Sequence, residues 1–156
     1  MSNYITPDGY QRIQKKIKVL TEERPLILEQ IEIARAQGDL SENAEYHAAR
    51  EKQRNLEREL TSLTKRIAVL SIIDPSTMPK DSVRFGALIK IKETTSNEIF
   101  THNLVGIDEI YDRDDNIIPV SIASPLGKAM LGKKVNDEFI VDAPKGKRYF
   151  VILEIK

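Results

Sequence analysis

Two consecutive stretches of sequence decide the fold: residues 6–40 are TPDGYQRIQKKIKVLTEERPLILEQIEIARAQGDL, and residues 41–70 are SENAEYHAAREKQRNLERELTSLTKRIAVL. In each stretch, residues at alternating spacings of three and four mark one helical seam, the pattern of a coiled coil. The seam positions are Tyr10, Ile13, Ile17, Leu20, Arg24, Ile27, Ile31 and Ala34, followed by Tyr46, Ala49, Gln53, Leu56, Leu60, Leu63, Ile67 and Leu70. Each position of the first series lies as far before Leu40 as its counterpart lies after it. The pattern predicts a long antiparallel two-helix coiled coil that folds back at Leu40.

The first helix carries its own start signal and one breaker. Thr6 is placed to cap the helix, Pro7 to open it, and Asp8 lies near the positive end of the helix dipole. Pro25 is expected to bend or loosen the backbone, and Arg24, the charged member of the seam, can extend its head to water. About 28 residues per helix, at a rise of about 1.5 Å each, give an arm of roughly 40 Å. Such an arm is unsuited to enclosing a small-molecule substrate, and its periodicity alone also fits a structural or dimerising coiled coil.

Bulk composition excludes several classes of function. The 156 residues are 40% hydrophobic, enough for a core, and 24 Lys and Arg balance 24 Asp and Glu. Without a global positive field, we expect at most weak contact with DNA. The chain has no cysteine, which excludes disulfides and thiolate zinc sites and fits a reducing cytoplasm. No apolar run approaches the ~20 residues of a membrane span, so we expect a cytoplasmic protein with no membrane partner.

The predicted turn between the helices is acidic. Asp39, Glu42 and Glu45 lie within it, and no Lys or Arg occurs between positions 35 and 50. One interpretation is structural: Asp39 or Ser41 caps the second helix, and the glutamates favour its dipole. Against it, Leu40 has no arm core to enter at the apex, and Asn43 adds another oxygen ligand.

Carboxylate and amide oxygens are ligands suited to Mg²⁺, yet those of the turn are too few to fill an octahedron without help from a partner. Phosphoryl transfer with two metals needs a second cation about 3.5–4 Å from the first, and an outside pair of carboxylates could hold it. The arm would then lend ligands to another enzyme's site.

Two motifs resemble a known family. Residues 38–51, GDLSENAEYHAARE, closely resemble the tip motif of the Gre family of bacterial transcript-cleavage factors, specifically its GreA branch. Residues 124–134, SPLGKAMLGKK, are similar to that family's C-terminal signature. Asn136 stands where the family usually has Gly, which changes a turn position. The two motifs bracket nearly the whole chain in the expected order.

The resemblance implies a partner and a site. The partner is bacterial RNA polymerase, bound at its secondary channel and rim, where the arm rescues backtracked complexes. Asp39 and Glu42 match the family's paired acids, which act in the polymerase active site and hold Mg²⁺ jointly with it to cleave nascent RNA. The isolated protein would hold no tightly bound cofactor and would be an accessory factor, not an enzyme. Leu40, Asn43 and Glu45 belong to the same tip motif as supporting residues.

A basic stretch follows the tip, comprising Arg50, Lys52, Arg54 and Arg58. On charge pattern alone it is a solvated helix face laced with glutamates. The resemblance implies contact with the 3′ segment of the nascent RNA, for which Arg50 and Lys52 are the candidates. We expect His47 on the helix surface and His102 in a strand, since neither has a pattern for metal binding or nucleophilic catalysis.

A second domain follows a linker. We assign residues 1–75 to the arm, 76–82 to a linker rich in breakers, and 83–156 to a small α+β domain. Runs of alternating residues predict an antiparallel sheet with strands at 87–93, 98–105, 117–122, 138–141 and 148–155. Ser124 caps one short helix, which Pro125 opens and Gly132 ends. The resemblance implies an FKBP-like domain that docks on polymerase.

Two other functions fit the sequence. A binding regulator could occupy the same channel without stimulating hydrolysis, and a coiled-coil holdase or isomerase-like chaperone fits the architecture but has no chemical motif. Neutralising Asp39 and Glu42 separates these functions, because only the cleavage factor needs the two charges.

Overall fold

The computed structural model describes residues 3–38 and 43–156. The chain forms two compact units: Tyr10–Val69 make one, and Leu70–Lys156 make the other together with the residues that precede Tyr10. Residues 1–75 were assigned to the arm domain from the sequence. In the structure, Tyr4–Ile5 pair with Ser71–Ile72, and both strands belong to the second unit. Within the part of the chain that the structure describes, no helix is long and apolar enough to span a membrane.

The arm is built from two long helices, α1 (Pro7–Arg35) and α2 (Ala44–Val69). Lys16 Nζ lies 2.9 Å from Glu59 Oε1, and Arg24 Nε lies 2.6 Å from Glu57 Oε1. At the end of α1, the backbone oxygen of Ala34 accepts a 2.7 Å hydrogen bond from the side chain of Asn43, the residue just before α2. Contacts therefore advance along α1 while they recede along α2, which confirms the predicted antiparallel hairpin. Its predicted fold-back point, Leu40, lies outside the described residues.

The predicted seam is the buried face of this hairpin. Among the described residues of 10–69, every buried side chain occupies a seam position, and these are Ile13, Leu20, Ile31, Ala34, Ala49 and Leu56. Arg24 is exposed, as its polar character predicted, and its head pairs with Glu57. The hydrophobic pattern thus determines which face of each helix is buried.

The predicted start of α1 is confirmed. Thr6 Oγ1 accepts a 3.1 Å hydrogen bond from the Gly9 amide, satisfying one of the free donors of the first turn, and Pro7 is the first helical residue. The helix continues through Pro25, so this proline does not divide the arm.

The second unit contains a five-stranded sheet with the order β5-β4-β3-β7-β6. Its strands are β3 (Leu88–Glu93), β4 (Ile99–Val105), β5 (Ile118–Ser121), β6 (Glu138–Ala143) and β7 (Gly146–Ile155). All five predicted strands are present with bounds shifted by two residues at most. Three pairs are antiparallel, but β5 runs parallel to β4. The antiparallel sheet was therefore wrong at this pair, because residues 106–117 form a crossover that returns β5 in the direction of β4.

A short parallel pair of strands was not predicted from the sequence. β1 (Tyr4–Ile5) pairs with β2 (Ser71–Ile72), and Ile5 is fully buried. Two residues per strand give no alternation that a sequence pattern could show. This pair brings the chain before α1 and the chain after α2 together in the sheet unit.

The short helix α3 (Pro125–Met130) covers the core of the sheet unit and confirms the predicted α+β class. Ser124 Oγ accepts a 3.1 Å hydrogen bond from the Gly127 amide, as predicted for its cap. A Cβ at Gly127 would lie 2.1 Å from the backbone oxygen of Ser121, so only glycine allows this approach. Asn136 has a φ of 73°, which confirms the predicted turn position. The buried core consists of Val83, Phe85, Ala87, Ile89, Ile91, Leu104, Val120, Ile122, Met130, Phe139, Phe150 and Ile152.

Candidate functional site

The candidate site lies at the far end of the arm, where α1 gives way to α2. Asp39, Leu40, Ser41 and Glu42 lie outside the described residues, so the roles assigned to three of them, Asp39, Leu40 and Glu42, stay predictions. The structure describes the chain on both sides, through Gly38 and from Asn43 onward. The described geometry of the site is therefore that of the end of α1 and the start of α2.

Asn43 is the N-cap of α2. Its side-chain oxygen accepts a 3.0 Å hydrogen bond from the Tyr46 amide, and its backbone oxygen accepts the first helical bond from His47 at 3.1 Å. The structural alternative, which gave the cap to Asp39 or Ser41, was wrong because α2 begins only at Ala44. A cap must directly precede the first helical residue to reach the free amides of the first turn.

The nitrogen of the same amide group joins α2 to α1. Asn43 Nδ2 donates a 2.7 Å hydrogen bond to the backbone oxygen of Ala34, which also accepts from the Gln37 amide at 3.2 Å. α1 ends at Arg35, and Gly38 beyond it has a φ of +116°, a backbone conformation that favours glycine. Asn43 was predicted as an extra oxygen ligand, and its amide is now seen engaged at both ends.

Glu45 is the one described carboxylate of the predicted acidic tip. It is exposed in the first turn of α2, where a negative charge interacts favourably with the helix dipole. Together with Ala34, Lys52 and other side chains it lines a shallow groove of about 300 Å³ between the helices. Glu45 is thus exposed at the start of α2, and its supporting role at the tip stays a prediction.

The two candidates for RNA contact differ in their surroundings. Lys52 is exposed and borders the same groove. Arg50 is half-buried, and its Nη1 donates a 2.8 Å hydrogen bond to Gln53 Oε1. Lys52 thus presents an exposed charge, whereas the Arg50 guanidinium hydrogen-bonds to Gln53 on its own helix. Contact with RNA stays a prediction for both.

The two histidines occupy the places expected of them. His47 is exposed on α2 and meets Tyr46 edge-on, with ring centroids 5.6 Å apart. His102 lies buried in β4, and burial lowers the pKa of this imidazole because it disfavours the charged form. A buried, neutral histidine offers no accessible acid or base.

The oxygen atoms of the tip bear on the predicted binding of Mg²⁺. Within residues 3–38 and 43–156, no group of three or more His, Asp and Glu side chains could hold an ion. The described tip offers the free Glu45 carboxylate, while the Asn43 oxygen already accepts a bond. Asp39 and Glu42 would add two hard oxygen ligands, which suit Mg²⁺ but leave most of an octahedron to a partner.

Sequence reasoning missed Glu109, a buried carboxylate in the sheet unit. Glu109 is 5% exposed, and its Oε2 accepts 3.1 Å hydrogen bonds from the amides of Thr6 and Gly106. Its Oε1 accepts from the Thr6 hydroxyl. A buried carboxylate with these partners holds Thr6, the N-cap residue of α1, and so has a structural role. In the sequence, only the spacing of Gly106 and Glu109 could have indicated it.

Both parts of the chain match models of known families. Residues 3–72 match the family described as "Transcription elongation factor, N-terminal". Residues 78–156 match the family described as "Transcription elongation factor, GreA/GreB, C-term". Together the two matches cover nearly all of the arm and the sheet unit.

Curated relatives are similar over almost their whole length. A protein of Novosphingobium aromaticivorans named "Transcription elongation factor GreA" is 40% identical over 149 residues, 96% of this chain and 92% of that protein. Proteins of the same name from Nitratidesulfovibrio vulgaris and Helicobacter hepaticus are each 41% identical, over 97% and 99% of this chain and 91% of each relative.

Solved structures give a looser likeness. The GreA factor homolog 1 (Gfh1) of Thermus thermophilus aligns over 98% of this chain and 97% of that one, with 24% identity and a TM-score of 0.44. A GreA/GreB factor from Nitrosomonas europaea aligns over 62% of this chain and 78% of that one, with 26% identity and a TM-score of 0.42.

Proposed function

Because this chain belongs to the GreA/GreB family of transcription elongation factors, we propose that it stimulates RNA cleavage by bacterial RNA polymerase. The arm would enter the secondary channel, and cleavage would remove the 3′ part of the nascent RNA in backtracked, arrested complexes so that elongation resumes in the cytoplasm. The observation that carries the proposal is the hairpin itself: a two-helix arm that carries the acidic tip motif at its fold-back point.

The chemistry proposed for the tip is assistance to a metal site that the polymerase owns. Mg²⁺ held there would stabilise the charge of the phosphate in the transition state and lower the pKa of a bound water. Asp39 and Glu42 would contribute carboxylate oxygens and orient that water toward an internal phosphodiester. Glu45, in the first turn of α2, would reinforce the negative potential of the tip.

The arm is also proposed to contact the nascent RNA weakly through two basic residues of α2. Lys52 is exposed and can form an ion pair with a phosphate of the 3′ segment. Arg50 uses Nη1 for its hydrogen bond to Gln53 and would reach a phosphate with its other N–H donors. The net charge of the chain is zero, so such contacts remain local and any contact with DNA is weak. Specificity would come from the channel and not from the sequence of the RNA.

The sheet unit is proposed to dock on the rim of the channel. Its two best candidates for chemistry are already committed to the fold, since His102 is buried with a lowered pKa and Glu109 binds Thr6. Hydrolysis by the isolated protein is therefore not expected, and the chain is an accessory factor in this proposal.

The proposal is tested with a stalled, backtracked polymerase complex in Mg²⁺. The native protein is compared with an Asp39→Asn, Glu42→Gln double variant and with a matched control, Glu22→Gln, Glu29→Gln, which removes the same charge from exposed positions of α1. We expect the control to cleave at the native rate and the tip variant to lose at least about 100-fold in rate while it still binds. Equal cleavage by the bound tip variant would refute the role of the acids, and binding without cleavage by the native protein would favour a channel-binding regulator.

A further inference from the structure

One side chain connects the two helices where the tip begins. The Asn43 oxygen accepts from the Tyr46 amide at 3.0 Å, and the Asn43 nitrogen donates to the Ala34 backbone oxygen at 2.7 Å. Each helix end leaves backbone groups without an intrahelical partner, donors at the start of α2 and acceptors at the end of α1. Asn43 satisfies one free donor of α2, and it adds a second hydrogen bond to the Ala34 oxygen, which also accepts from the Gln37 amide.

The chemistry of this bridge explains the choice of residue. Ser, Thr and Asp cap helices about as well as Asn does. A carboxylate, however, has no hydrogen to give to the Ala34 oxygen, and a hydroxyl has a single atom to serve both partners. The planar amide of Asn places an acceptor and a donor at separate positions, so it can cap α2 and reach α1 together.

Resting on the proposed function, we propose that Asn43 is a positioning residue for cleavage. Its side chain joins the last turn of α1 to the start of α2 through the hydrogen bond to the Ala34 backbone oxygen. Asp39 and Glu42 lie between the two joined residues in the sequence, so loss of this hydrogen bond is expected to act on the tip acids. Misplacement of a reacting group by about 1 Å can cost 100-fold in rate, so the bridge acts on the rate and not on binding.

The variant that isolates the bridge is Asn43→Ser. Serine keeps an oxygen to cap α2 but cannot span the distance to Ala34, so the helix remains capped while the connection is lost. Asn55→Ser is the matched control on the same helix: Asn55 is exposed, and its Oδ1 lies 3.5 Å from Arg58 of its own helix. Asn43→Thr, which also keeps a cap, repeats the test with a different side chain.

Cleavage of a backtracked complex is then measured against factor concentration. For Asn43→Ser and Asn43→Thr we expect a half-saturating concentration within about twofold of the native value and a maximal rate at least about tenfold lower. Asn55→Ser should match the native protein in both. A native maximal rate in the Asn43 variants, or a loss that appears only as weaker binding, would overturn the proposal.

A second readout needs no polymerase. Because the chain lacks cysteine, nitroxide labels can be attached to Ala36→Cys and Ala44→Cys, both exposed positions beside the bridge. Their dipolar spectrum should broaden into a wider distribution of distances in Asn43→Ser and stay unchanged in Asn55→Ser. An unchanged distribution in Asn43→Ser overturns the bridge whatever the cleavage result. If the native protein fails to stimulate cleavage, the proposed function falls, and the label distances alone then decide whether Asn43 connects the helices.

Discussion

Glu109 shows at the scale of one residue how a buried charge can support a helix without taking part in chemistry. Every described partner of its carboxylate is a donor: the Thr6 amide, the Thr6 hydroxyl and the Gly106 amide. Thr6 in turn caps α1 through the Gly9 amide. A Cβ at Gly9 would lie 2.3 Å from the Glu109 carboxylate, so the helix start is packed closely against it.

Replacing this carboxylate by an amide should destabilise the sheet unit. In Glu109→Gln, an NH₂ group would face a donor in the buried site, and we expect the free energy of unfolding to fall by about 1–3 kcal/mol. Urea denaturation measures the loss, with Glu138→Gln on an exposed position of β6 as the control. Native stability in Glu109→Gln would show that the carboxylate is dispensable.

A surface ion pair in the same unit gives a prediction on pH. The Arg148 guanidinium donates to the Glu93 carboxylate, with Nε 3.2 Å from Oε2, and this hydrogen bond lowers the pKa of Glu93 below its ordinary value. A lowered carboxyl pKa contributes stability above the pKa of the unfolded chain, about 4.3, and loses it as the pH falls through the folded value.

The native protein and Glu93→Gln should therefore differ in stability at pH 7, and the difference should shrink at about pH 3, as the carboxyl takes up its proton. Urea midpoints at the two pH values test this, and Glu98→Gln serves as the control. A difference that persists unchanged at the acidic pH would mean that Glu93 stabilises the strands by packing and not by charge.

At the scale of elements, the arm depends on a narrow line of buried side chains. Leu56 is 5% exposed in the seam, whereas Leu26, on the other helix, is 59% exposed. Leu56→Ala should lower the free energy of unfolding of the arm by about 2–5 kcal/mol, because it leaves a cavity, and Leu26→Ala should change it by less than about 0.5 kcal/mol. Thermal unfolding followed by helical circular dichroism compares the two, and an equal loss in both would contradict the assigned seam.

The sequence predicts long, periodic elements well and short ones poorly. Sixteen seam positions related by distance from Leu40 were enough to give both helices and their antiparallel pairing. The β1–β2 pair has two residues per strand, too few for a period, and the parallel pairing of β5 depends on where a crossover places the strand. Local patterns carry no information on such placement.

At the scale of the whole molecule, the chain matches two family models, one over residues 3–72 and the other over residues 78–156. The acidic residues of the candidate site could be predicted from the tip motif alone, and their roles stay predictions. The role of Asn43 could not, because its second hydrogen bond joins residues nine positions apart that meet only when the hairpin forms. The same holds for Glu109, whose partner Thr6 lies 103 positions away.

The central claim is that the tip lends carboxylates to a Mg²⁺ site of the polymerase. The most direct test is the Mg²⁺ dependence of RNA cleavage in a backtracked complex at saturating factor, for the native protein and for Asp39→Asn, Glu42→Gln. The account predicts that the native factor lowers the Mg²⁺ concentration for half-maximal cleavage at least about tenfold relative to the complex alone, as expected when ligands are added to a site. With the double variant, the Mg²⁺ concentration for half-maximal cleavage should equal that of the complex alone. The same shift in Mg²⁺ requirement with both proteins would contradict the account, since the carboxylates would then have no part in holding the metal.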